Sequence, residues 1–107
     1  MESSNSPFLI ELSPKDNVLI IARSLARGES YQIGGRTFVL SQPLGLGHKL
    51  ASRAIKAGEK ILKYGAPVGS ATQAIAQGEH VHLHNMKSDY LPTFTLDPGQ
   101  KYATHAH

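Results

Sequence analysis

The chain has 107 residues, 40% of them apolar and 7% aromatic, with ten Gly, six Pro and no Cys, which fits one small domain with its own core and excludes disulfides, thiolate metal sites and cysteine nucleophiles. The longest apolar run is five residues, 18–22, far short of the roughly 20 that cross a bilayer; the opening MESSNSPF lacks the basic and apolar regions of a secretion signal, so the expected location is the cytoplasm. A formal charge of +3 suits small anionic ligands, while nucleic acid is not expected because there is no basic run, stacking-aromatic motif or zinc-finger spacing.

Residues 1–16 read as a partly flexible N-terminal extension, although residues 8–12 alternate apolar and polar like a short strand. The domain proper is predicted over residues 17–87, with residues 88–107 as a C-terminal tail. Residues 18–22 make a dense strand-length apolar run. Arg27-Gly28 and Gly34-Gly35 supply turns, and residues 37–40 form a second β-branched and aromatic strand. The stretch SQPLGLGHK is poor as a helix or a central strand because of Pro43, Gly45 and Gly47, so it is expected to be a loop whose backbone can approach another molecule. Lys49, Arg53, Lys56, Lys60 and Lys63 then fall within fifteen positions with only Glu59 opposing them. They create a mild local positive field or a solvated face.

An internal repeat of 20 residues runs through the middle of the chain. Residues 51–61 recur as residues 71–81 with five of eleven positions identical, and a weaker copy places Leu25, Gly28 and Glu29 in register. Each copy gives an apolar side chain, two residues, a Gly able to take positive φ, a Glu, and a new strand. A helix over residues 49–62 is the rival, but Gly58 in its middle costs about 1 kcal/mol. The repeat predicts a mainly β, compact domain of short strands and tight turns. Glu59 and Glu79 share one repeat position, which points to turn stabilisation rather than an acid and base pair.

His80-Val81-His82-Leu83-His84 has a period of two, predicting three imidazoles on one strand face, about 6.5–7 Å apart, with Val81 and Leu83 packed inward. A solvated strand edge is the other reading of His80, whose place matches Lys60 in the preceding copy. His48 and Lys49 close the Gly-rich connector, where an imidazole and an ammonium could meet a carboxylate. Asn85 could contact a hydroxylated substrate or cap a turn. Tyr64-Gly65 reads as a turn with a packed ring, and His105 and His107 are given no role.

Gly47-His48-Lys49, Lys63-Tyr64-Gly65, Val68-Gly69-Ser70-Ala71-Thr72 and Gly78-Glu79-His80-Val81-His82-Leu83-His84-Asn85, in that order, resemble the SAF domains, or small subunits, of the altronate and galactarate dehydratase group, which also includes sulfolactate sulfo-lyase. The resemblance implies a β-clip fold and a separate, larger catalytic subunit as partner. It also implies a small anionic sugar acid as substrate, and ferrous iron or another divalent metal held mainly by the large subunit; whether this chain ligates metal is left open. Dehydrating such an acid requires a proton to leave the carbon beside the carboxylate and the neighbouring hydroxyl to depart, chemistry that needs proton-transfer groups and cations. On this reading His48 and His84 are the expected catalytic residues, and Lys49, His82 and Asn85 the expected substrate-binding ones. A sulfo-lyase subunit expelling sulfite, or a noncatalytic module binding an anionic carbohydrate or a protein, are the alternatives.

Overall fold

Two hairpins of the same design organise the chain. In the computed structural model, which describes residues 5–89, Gly34 and Gly35 take φ of 61° and 83°, and Tyr64 and Gly65 take 62° and 76°. Positive φ at both central residues is the type I′ turn, whose twist matches that of the strands it joins. These turns connect β3 (Ser30–Ile33) to β4 (Arg36–Val39) and β6 (Lys60–Lys63) to β7 (Ala66–Ala71). Tyr64 is a costly residue for this conformation, and the Asp16 carboxylate fixes it by accepting from the Tyr64 and Gly65 amides at 2.9 and 2.7 Å. The turn is as expected from sequence, but the Tyr64 ring is 71% exposed rather than packed.

The remaining strands are β1 (Leu9–Ile10), β2 (Val18–Ile21), β5 (Lys49–Ala51), β8 (His80–Val81) and β9 (Met86–Lys87). All pairings are antiparallel, and no helix occurs among the described residues, so the domain is mainly β, as the repeat predicts. The four-stranded sheet runs β1-β2-β5-β8, and a three-stranded sheet runs β6-β7-β9. Alternation along β2 and β5 divides the core in two: Leu19, Ile21 and Leu50 pack with Leu25, Tyr31, Ile33 and Leu44, whereas Val18 and Ala51 pack with Ile55, Ile61, Ile75 and Val81.

The repeat of the folded chain is longer than the one visible in the sequence. Four turns share one hydrogen-bond pattern: the amides of Gly28, Gly47, Gly58 and Gly78 donate to the carbonyls of Leu40, Ile21, Ala71 and Ala51, and the amides of those four residues donate to the carbonyls of Glu29, His48, Glu59 and Glu79. Leu25 bridges Leu44, and Ile55 bridges Ile75. The first half of the domain therefore returns in the second about 30 residues later. The SQPLGLGHK stretch is not a free loop but the fourth of these turns, with Gly47 at φ 91° and Leu44 buried. The phase is lost at Gly69, where the β6–β7 register shifts; a Cβ there would overlap the Lys87 carbonyl oxygen of β9.

Candidate functional site

In three of the four turns a glutamate closes the turn on itself. Glu29, Glu59 and Glu79 each accept from the amide three residues earlier, at 2.9, 2.9 and 2.8 Å, and Arg23 and Arg53 add 2.6 Å contacts to Glu29 and Glu59. These bonds, Arg23 and Arg53 foremost, hold both carboxyls below the usual range. Turn stabilisation is thus what the shared Glu position provides. In the fourth turn the same position is His48, so its side chain is released for another partner.

That partner is supplied by sheet register. Lys49 pairs with Val81 and Leu50 with His80, so the residue before β5 lies across from the residues around β8. His48 Nδ1 stands 2.9 Å from His80 Nε2. The His48 ring centroid lies 5.0 Å from that of His80 and 5.3 Å from that of His82, and the His80 and His82 rings stack at 5.4 Å. His84 tilts against His80 at 5.5 Å. The structure thus gathers His48, His80, His82 and His84 from two distant segments.

The expected extended face of three histidines is corrected in its geometry. The strand ends at Val81 and residues 83–85 turn, so Leu83, expected to pack inward, is 58% exposed. The cause is Asn85, fully buried, whose Oδ1 accepts from the His82 amide at 3.0 Å while its Nδ2 donates to the His80 carbonyl at 2.9 Å. With its amide bonded to the backbone, Asn85 positions the histidine turn, the capping role that the sequence offered beside a substrate contact.

Lys49 is half-buried beside the cluster. Burial first, then Lys63, holds its ammonium below the usual lysine range, and among the described residues no carboxylate pairs with it. His80 is pushed down to about 4 by burial, and after that by His48, His82, His84 and Lys49. Its Nδ1 is buried without a hydrogen-bond partner. Next to these rings an open groove of about 420 Å³ is lined by Tyr31, Phe38, Leu50, Gly78, His80 and His84 among others. The result is an imidazole-rich mouth with the Lys49 ammonium close to His80. A divalent ion fits the donor set: His48, His80 and His82 each offer a ring nitrogen, all within 4.8 Å of one another, and neutral imidazole is a good ligand for first-row transition metals.

Sequence reasoning underrated His80, whose alignment with Lys60 suggested a solvated position. The signal lay one turn away, in the copy that carries His48 where the others carry Glu. His105 and His107 lie outside the described residues.

Residues 7–89 match the family described as the altronate/galactarate dehydratase SAF domain. The chain belongs to this family. As an SAF domain it is 36% identical over 97 residues to an altronate dehydratase of Bacillus subtilis and 35% identical over 99 residues to one of Escherichia coli, covering 83% and 85% of this chain but 20% of each relative. A (2R)-sulfolactate sulfo-lyase subunit alpha of Chromohalobacter salexigens is 43% identical over 51 residues, 48% of this chain and 54% of that relative. The SAF domain therefore spans about one fifth of the length of the dehydratases it matches.

Proposed function

We propose that this SAF domain is the accessory subunit of a metal-dependent sugar-acid dehydratase, inactive alone, and that its imidazole cluster and Lys49 face a site housed mainly in a larger catalytic partner. The observation that carries this reading is the convergence of His48, His80, His82 and His84 on one mouth in a domain of the dehydratase family. The match to one fifth of each altronate dehydratase supports a partner that supplies the rest.

In this reading Lys49 attracts the substrate carboxylate, since its half-buried ammonium gains an anionic neighbour that the described residues do not provide. His84, joined by His48 while no ion occupies that ring, exchanges protons with the substrate's carbon and its departing hydroxyl, a task suited to imidazole. His82 orients the sugar-acid hydroxyls. Asn85 keeps His80 and His82 in place without touching substrate. A ferrous or other divalent ion, when bound, would stabilise negative charge on the substrate oxygens; His48, His80 and His82 are the groups of this chain that would hold or face it.

Reconstitution tests the reading. The purified chain should not dehydrate altronate or galactarate with ferrous iron, and mixing it with the catalytic remainder of an altronate dehydratase should create or raise turnover. Turnover by the chain alone, or no effect on that remainder, would contradict it. The similarity to a sulfo-lyase subunit alpha favours a second substrate, a hydroxylated sulfonate losing sulfite; sulfite release in the same assay separates the two.

A further inference from the structure

We infer that His48, His80 and His82 form a transition-metal site that this chain fills by itself, without a catalytic partner. The spacing is that of a coordination sphere already half assembled. Metal–imidazole bonds of about 2.0–2.1 Å place adjacent ligand atoms roughly 3 Å apart, and His48 Nδ1 and His80 Nε2 are at 2.9 Å. The third nitrogen lies within 4.8 Å of both, a gap that rotation of the exposed His82 ring can narrow.

Hydrogen bonding alone does not account for the arrangement. One shared proton serves the His48–His80 contact, and it gives no reason for the His82 ring to lie against both of them. An ion held on the facing nitrogens gives the clustering a purpose that one hydrogen bond does not. The frame is also rigid: β5 pairing fixes the segment after His48, and Asn85 ties both the His80 carbonyl and the His82 amide. Three nitrogen donors, with no carboxylate joining them among the described residues, select zinc, nickel, cobalt or ferrous iron over magnesium or calcium. Three protein ligands also leave coordination positions open. Resting on the dehydratase reading, we assign those positions to the carboxylate and adjacent hydroxyl of the sugar acid, drawn in by Lys49.

Cobalt(II) is the probe. Titrated into the 107-residue chain at pH 7.5, it should bind one ion per chain with visible d–d absorption, matched by isothermal titration. His48→Ala and His82→Ala should weaken binding by about tenfold or more while circular dichroism stays unchanged; His105→Ala combined with His107→Ala should bind as the parent does. Absence of one-to-one binding by cobalt(II) and zinc(II) would overturn the site, as would loss of binding in the tail variant alone. Galactarate added to the cobalt form should shift the d–d bands. Unshifted bands with the metal still bound would refute the sugar-acid ligand and leave the metal site standing.

Discussion

His48 Nδ1 lies 2.9 Å from His80 Nε2 across 32 residues of sequence. The contact exists because His48 stands where Glu29, Glu59 and Glu79 close the other turns, and because the antiparallel register of β5 and β8 carries it over the start of the histidine turn. A fourfold use of one turn gives the chain its core, and the single departure from it frees an imidazole for the site.

Asn85 holds this arrangement from beneath. Asn85→Ala removes the two hydrogen bonds that this fully buried side chain makes to the backbone and should cost about 2–3 kcal/mol of stability, read as a lower urea midpoint with an unchanged slope. An unchanged midpoint would mean that the turn is held by its own backbone bonds.

Glycine positions should separate by backbone demand. Gly69→Ala forces a Cβ into the Lys87 carbonyl oxygen, detaching β9 from β7 at a cost of about 3 kcal/mol. Gly45→Ala meets only His48 Cδ2, at 3.9 Å, and should change stability by about 0.5 kcal/mol or less. Equal thermal midpoints for the two variants would contradict the close β7–β9 approach.

Acid should loosen the domain through His80. Its folded pKa lies at about 4, below the ordinary 6.5, so between these values the unfolded chain binds a proton that the folded chain does not. Stability is then complete above about pH 6.5 and declines as pH falls towards 4. The depressed carboxyls of Glu29, Glu59 and Asp89 add losses as pH falls below the ordinary carboxylate range. His80→Gln should flatten the midpoint-against-pH curve between 6.5 and 4; an equally steep curve in that variant would remove His80 as the cause.

The β class and the Gly-Glu turns were legible in the sequence because identical residues mark Gly58-Glu59 and Gly78-Glu79. The 30-residue repeat was not, because His48 replaces the diagnostic Glu, Pro43 and Gly45 disguise the turn as a loop, and the register shift at Gly69 breaks the phase of the second half. At the site, His48, His82 and His84 could be named from type and spacing. The place of His80 in the cluster depends on the pairing of β5 with β8, a non-local contact that local periodicity does not encode. The period-two reading failed after Val81 because the Asn85 amide outbids extended backbone for the His82 amide and the His80 carbonyl.

The central claim is that the imidazole mouth serves dehydration within a larger enzyme, and the direct measurement is turnover of the reconstituted complex with His48→Ala and His84→Ala. Each variant should assemble normally and lose at least about tenfold in turnover, about 1.4 kcal/mol of transition-state stabilisation. Lys49→Met should raise KM more than it lowers kcat. Full activity with unchanged apparent affinity in the two histidine variants would contradict the account.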